Sequence, residues 1–144
     1  MIYNMKSINP DVVLVFLLFE MIFAHLIADF NLQGVLAKMK QKQWWIDTIG
    51  EDLYNKYYKN DYKISLLAHS FMWSFTIHIL LLILYTPNYK IFLSIIINTI
   101  LHYIIDDLKA NKLKIDLVDD QLLHISQILN TLVILVMSHA LPLY

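Results

Sequence analysis

The chain has 144 residues, 58% of them hydrophobic, with 2 glycines, no cysteine and a formal net charge of -1. Soluble domains are nearer half apolar, and here the apolar residues come in blocks, which points to a bilayer rather than to a larger core. The near-zero charge gives no reason to expect a nucleic-acid polymer as partner, the lack of cysteine excludes disulfides and thiolate metal sites, and the length allows one domain, 1-144. All 11 basic residues are Lys, so phosphate would meet point charges rather than bidentate forks.

A polar start, Met1 to Asp11, leads past Pro10 into an apolar run with no small-residue cleavage site after it, so that run reads as a retained helix rather than a signal peptide. A bilayer core takes about 20 mostly apolar residues per helix. Four stretches qualify: Val12 to Gln33, Ile64 to Tyr85, Ile91 to Asp107, and Leu122 to Leu141. Between the first two, Gly34 to Lys63 mixes six Lys with Trp44, Trp45, Tyr54, Tyr57, Tyr58 and Tyr62, as expected of a chain lying on lipid headgroups. Pro87 and Asn88 mark the next turn, and Pro142 follows the last span, where proline costs little. The expected fold is all-α: four transmembrane helices in an antiparallel bundle, with an amphipathic interfacial segment between the first two.

Lysines set the expected orientation. Lys38, Lys40, Lys42, Lys56, Lys59 and Lys63 lie in the first loop and Lys109, Lys112 and Lys114 in the third, against only Lys6 and Lys90 on the other side. By the positive-inside rule, loops one and three face the cytoplasm of a bacterial inner membrane and both termini lie outside.

Ionisable groups inside a span are costly and mark function or pairing. His25, Asp29 and Gln33 form one stripe at the end of span one. His69 lies less than two turns into span two. Asn98, His102, Asp106 and Lys109 line one face of span three, and Asp120, Gln121 and His124 open span four. At about 1.5 Å per residue, the four histidines fall roughly 6 to 12 Å below one surface. Hydrogen-bonded packing accounts for a single buried histidine, but four at one depth point to a site. Imidazole and carboxylate pairs one turn apart suit a divalent metal, zinc first, with manganese or iron as alternatives. The expected ligands are His25, Asp29, His102, Asp106 and His124; His69 and Asp120 complete the set or act as general base. Lys109 either holds a substrate anion or snorkels to the interface. Gln33, Asn98 and Gln121 are candidates to donate to bound carboxylates.

His78 falls on the face opposite His69 and His139 near the far end of span four, so both are expected to be structural. Asp107 and Asp119 are expected to face water. Glu20, deep in span one and turned from His25, is open to three readings: protonated, paired with another span, or set in a subunit interface. No G-x-S-x-G, P-loop, G-x-G-x-x-G or H-E-x-x-H motif is present.

The order His25-Leu-Ile-Ala-Asp29-Phe30-Asn-Leu32-Gln33, then His69, then His102-Tyr-Ile-Ile-Asp106-Asp-Leu-Lys109, then Asp120-Gln121-Leu-Leu-His124 resembles a family of small bacterial and phage membrane proteins, domain of unknown function 3307. The resemblance covers nearly the whole chain apart from the long first loop, and implies no settled activity. Its layout is similar to membrane-bound metal-dependent hydrolases. The function expected is therefore a metal-dependent hydrolase at the inner membrane face, acting on a phosphate- or acyl-bearing amphiphile or a nucleotide. A proton or metal-ion transporter and a non-enzymatic membrane effector are the alternatives, and a homodimer is compatible with so small a bundle.

Overall fold

The computed structural model describes residues 9-85 and 88-141, so the expectations resting on the start of the polar leader, Lys6, Pro87 and Pro142 lie outside the described residues. Among those described, every regular element is a helix, without strands. Helix α1 (Pro10–Leu26) starts where Asn9 accepts from Asp11 N–H at 2.8 Å, with Pro10 at the first position, where a missing N–H goes unmissed. It passes into a wider π-helical turn, Ile27–Asn31, marked by a bond from Leu32 N–H to Ile27 O of 2.9 Å.

Four short pieces follow: α2 (Leu36–Met39), α3 (Lys42–Ile49), α4 (Glu51–Leu53) and a π turn, Tyr54–Tyr58. Gly50, at φ 85°, supplies the conformation that ends α3. These pieces are held together. Trp45 stacks on Tyr58 with centroids 5.8 Å apart, and its indole N–H donates to Met39 O at 2.8 Å. Tyr54 is buried and donates to Lys59 O.

Three long helices complete the chain: α5 (Asp61–Leu84), α6 (Tyr89–Ala110) and α7 (Leu117–Met137). Helix α7 begins at Leu117 rather than Leu122 because Asp116 caps it, its carboxylate accepting from Val118 and Asp119 N–H. It ends at Met137 rather than Leu141, where His139 turns to φ 54°. Asn88 caps α6 in the same way, accepting from Lys90 and Ile91 N–H.

Four helices are long and apolar enough to cross a membrane: Pro10–Asn31, Asp61–Leu84, Tyr89–Ala110 and Leu117–Met137. Phe19, Phe23, Ile83 and Ile134 each leave more than 60% of their surface outside, which suits lipid contact far better than water. Helix α5 packs on both α1 and α6, and α7 on α6 and α1. Leu17, Met21, Trp73, Ile77, Leu81, Ile91 and Ile128 fill the space between them. At one end of this apolar core sits a polar layer.

Candidate metal centre

Each long helix delivers part of the layer. Helix α1 brings His25, and its π turn brings Asp29. The extra residue in that turn shifts Asp29 away from the position one regular turn after His25: its carboxylate approaches His25 Nδ1 only to 3.8 Å, but His69 Nε2 to 3.3 Å. Helix α5 gives His69, α6 gives His102 and Asp106, and α7 gives Asp120 and His124. All seven side chains are buried.

Three ligand atoms form a small triangle. His69 Nε2 and His102 Nε2 lie 3.2 Å apart, and Asp29 Oδ1 is 3.3 Å from the first and 3.8 Å from the second. A tetrahedral ion with arms of about 2.0–2.2 Å sets its ligand atoms about 3.4 Å apart, so these separations fit one. A second set adjoins it. His124 Nε2 is 3.3 Å from Asp106 Oδ1 and 3.5 Å from Asp120 Oδ1, without hydrogen-bond geometry to either. Asp120 Oδ1 is also unpartnered among the described residues. Asp29 with His69 and His102, His102 with Asp106 and His124, and Asp29 with Asp120 and His124 each bring three ligand atoms within 4.8 Å of one another and can hold a metal ion.

His25, an expected ligand, plays a different part. Its Nδ1 accepts from the Trp73 indole at 2.8 Å and its Nε2 faces Gln121 Oε1 at 3.0 Å. Both ring nitrogens are thus held by protein. Because Oε1 accepts, the Gln121 amide nitrogen turns toward the carboxylates, 3.3 Å from Asp29 Oδ2 and 3.1 Å from Asp120 Oδ2. Gln33 also donates to Asp29, through its backbone carbonyl and its carboxylate. Asn98 is not drawn in: its partners are Ser94, Thr131 and Gln127, in a separate network between α6 and α7.

Three residues the sequence reading passed over shape the layer. Trp73, fully buried, stacks on His102 with centroids 4.2 Å apart, and His102 stacks on His124 at 4.2 Å. Nδ1 of His102 and of His124 has no partner among the described residues, so stacking orients these rings where an acceptor usually would. Lys40 reaches in from the segment after α2 and meets Asp106 Oδ2 at 2.6 Å. Asn111 holds that segment, donating to Lys40 O at 3.1 Å and accepting from Lys42 N–H at 2.8 Å. Trp73 had a signal, one helical turn after His69. Lys40 had none.

Lys109 meets Asp120 Oδ2 at 2.6 Å, with 36% of its side chain exposed. Asp107 does not simply face water: it pairs with Lys112 at 2.8 Å and accepts from Asn111. Asp119 is exposed, as expected. His78 donates to Ser74 O and accepts from Ser94 Oγ, a packing role, while His139 is exposed. Glu20 is partly buried, with one carboxylate oxygen unpartnered among the described residues. Comparison with protein-family models, curated proteins and solved structures found no match to this chain.

Proposed function

We infer that the chain is a multi-pass membrane protein whose layer of imidazoles and carboxylates binds a divalent metal ion and catalyses hydrolysis. The observation that carries this is the Asp29–His69–His102 triangle, whose 3.2–3.8 Å sides match the edges of a small tetrahedral site, inside a buried region of apolar helices. Three protein ligands leave a fourth position open, the arrangement of a catalytic rather than a structural zinc. Manganese or iron suits the same nitrogen and oxygen donors. Such an ion, when bound, acidifies water and polarises a phosphoryl or acyl oxygen. The chain's own groups divide the remaining work. Asp120, oriented by Gln121 and Lys109, serves as general base; Lys109 faces the substrate's negative charge; His25 and Trp73 position Gln121. His124 and Asp106 stand ready as further ligands.

The antiparallel arrangement is supported by the order of contacts between α5 and α6. His69 meets His102, Ser74 donates to Ile95 O, and His78 meets Ser94. The lysine bias favours placing the layer at the cytoplasmic face of a bacterial inner membrane, with the aromatic and Lys-rich segment on the headgroups. Kinship with the domain of unknown function 3307 family belongs to the same proposal and rests on the order of its four motifs. A site at headgroup depth suits an amphiphile bearing phosphate or acyl groups.

The test is turnover. Protein loaded with zinc or manganese should release phosphate or fatty acid from one of these substrate classes, lose that activity to a chelator, and fall about 100-fold with Asp120→Asn, as expected for a general base. Loaded protein inert toward both classes removes hydrolysis. One observation favours transport instead: Ser74, His78, Ser94, Asn98, Gln127 and Thr131 link α5, α6 and α7 by polar contacts beyond the layer. Proton or metal flux into liposomes would identify that function.

A further inference from the structure

We propose that Lys40 is a substrate-binding residue, and that with Lys109 it selects a phosphate monoester as the substrate of this site; the assignment rests on the metal centre inferred above. Lys40 is held in place from behind. Asn111 ties the backbone on both sides of Gln41, through Lys40 O and Lys42 N–H, and Trp45 donates to Met39 O. Asp107 in turn accepts from the Asn111 amide at 3.0 Å. The side chain so presented is only 13% exposed, whereas that of Lys112, a lysine of the third loop, is 52% exposed. A lysine that merely anchored to headgroups would not be tied on both sides and turned inward.

The charge balance indicates what it binds. Asp29, Asp106 and Asp120 face two ammonium groups, so with neutral imidazoles the layer carries one net negative charge. A divalent ion makes that one positive. Lys40 contacts Asp106 Oδ2, which His69 Nε2 also approaches at 3.3 Å. An ion on the adjoining Asp29–His69–His102 triangle competes with Lys40 for the negative charge of Asp106, so the buried ammonium is left with a weakened partner, and an unpaired buried charge is costly. An acyl ester is neutral and supplies no replacement. A phosphate monoester dianion supplies one for each lysine, and its charge complements the loaded site. With no arginine in the chain, lysine point charges are the available means of holding it.

The experiment is calorimetric binding of inorganic phosphate to manganese-loaded protein in nanodiscs of uncharged lipid. Wild type should bind phosphate. K40M should bind it about tenfold more weakly, the loss of one charge-assisted hydrogen bond, while keeping its metal as tightly or more tightly. K40R should stay within about threefold, as a cation at the same place. N111A, which keeps the charge but frees the segment, should fall between. K56M, an exposed lysine of the same loop, controls for net charge and should match wild type. Competition by glycerol phosphate identifies a soluble ester as the source, and competition by phosphatidic acid in the nanodisc a lipid one; displacement by neither overturns the assignment. Metal-loaded wild type that ignores phosphate, or loaded K40M and N111A that both bind it as wild type does, overturns the role of Lys40 and leaves the metal centre standing. Wild type that holds no metal overturns both.

Discussion

Trp73 donates its indole N–H to His25 Nδ1 over 2.8 Å, and since an indole can only donate, His25 carries its proton on Nε2. That proton points at Gln121 Oε1, which turns the Gln121 amide toward Asp29 and Asp120. One buried indole on α5 thus sets the direction of the amide that faces two carboxylates, on α1 and α7.

Trp73→Phe keeps an aromatic ring against His102 but removes the donor. Metal affinity should fall about 10- to 100-fold, the usual effect of losing an outer hydrogen-bond partner, with helix content intact. Metal titration followed beside circular dichroism checks it. Unchanged affinity would mean that His25 needs no fixed tautomer.

His78 lies in the same helix yet serves packing. Replacing it with Phe deletes its bonds to Ser74 O and Ser94 Oγ and should lower stability by roughly 0.5–2 kcal/mol, in the range of polar contacts between membrane helices. Metal content should not change. Loss of metal in His78→Phe with the fold retained would tie His78 to the site.

The four long apolar helices were legible in the sequence because run length alone identifies them, and four of the layer's members stood out as histidines at one level. The inner geometry was not. The π turn that carries Asp29 leaves no mark in apolar periodicity, and in it Asp29 lies nearer to His69 on α5 than to His25 on its own helix. The role of His25 depends on Trp73, whose indole looks like core until its partner is known. Lys40 was one of six lysines in a loop, and its pairing with Asp106 together with the Asn111 clamp, from 71 residues further on, separates it from the rest. Contacts between distant segments carry such distinctions.

Asn111→Ala should loosen the segment it clamps. Each lost bond is worth about 1 kcal/mol, so amide exchange at residues 39–42 should quicken by roughly 10-fold or more, with little change in α5 or α7. Hydrogen exchange read by mass spectrometry checks this. Equal rates in variant and wild type would leave Lys40 held by its pairing with Asp106 and by the Trp45 bond to Met39 O.

Sidedness can be read cleanly because the chain has no cysteine. Lys56→Cys should react with a membrane-impermeant maleimide only from the cytoplasmic side, and Tyr89→Cys only from the outside. Labelling of both from one side would contradict an up-and-down course between them.

The central claim is that buried histidines and aspartates from all four spans converge on a metal ion. Elemental analysis of protein purified without affinity metals, beside His69→Ala and His102→Ala, tests it most directly. Wild type should carry a stoichiometric transition metal, and each variant less than about a tenth as much, with its helices intact. Metal absent from the wild type after reconstitution, or retained in full by both variants, would contradict the account.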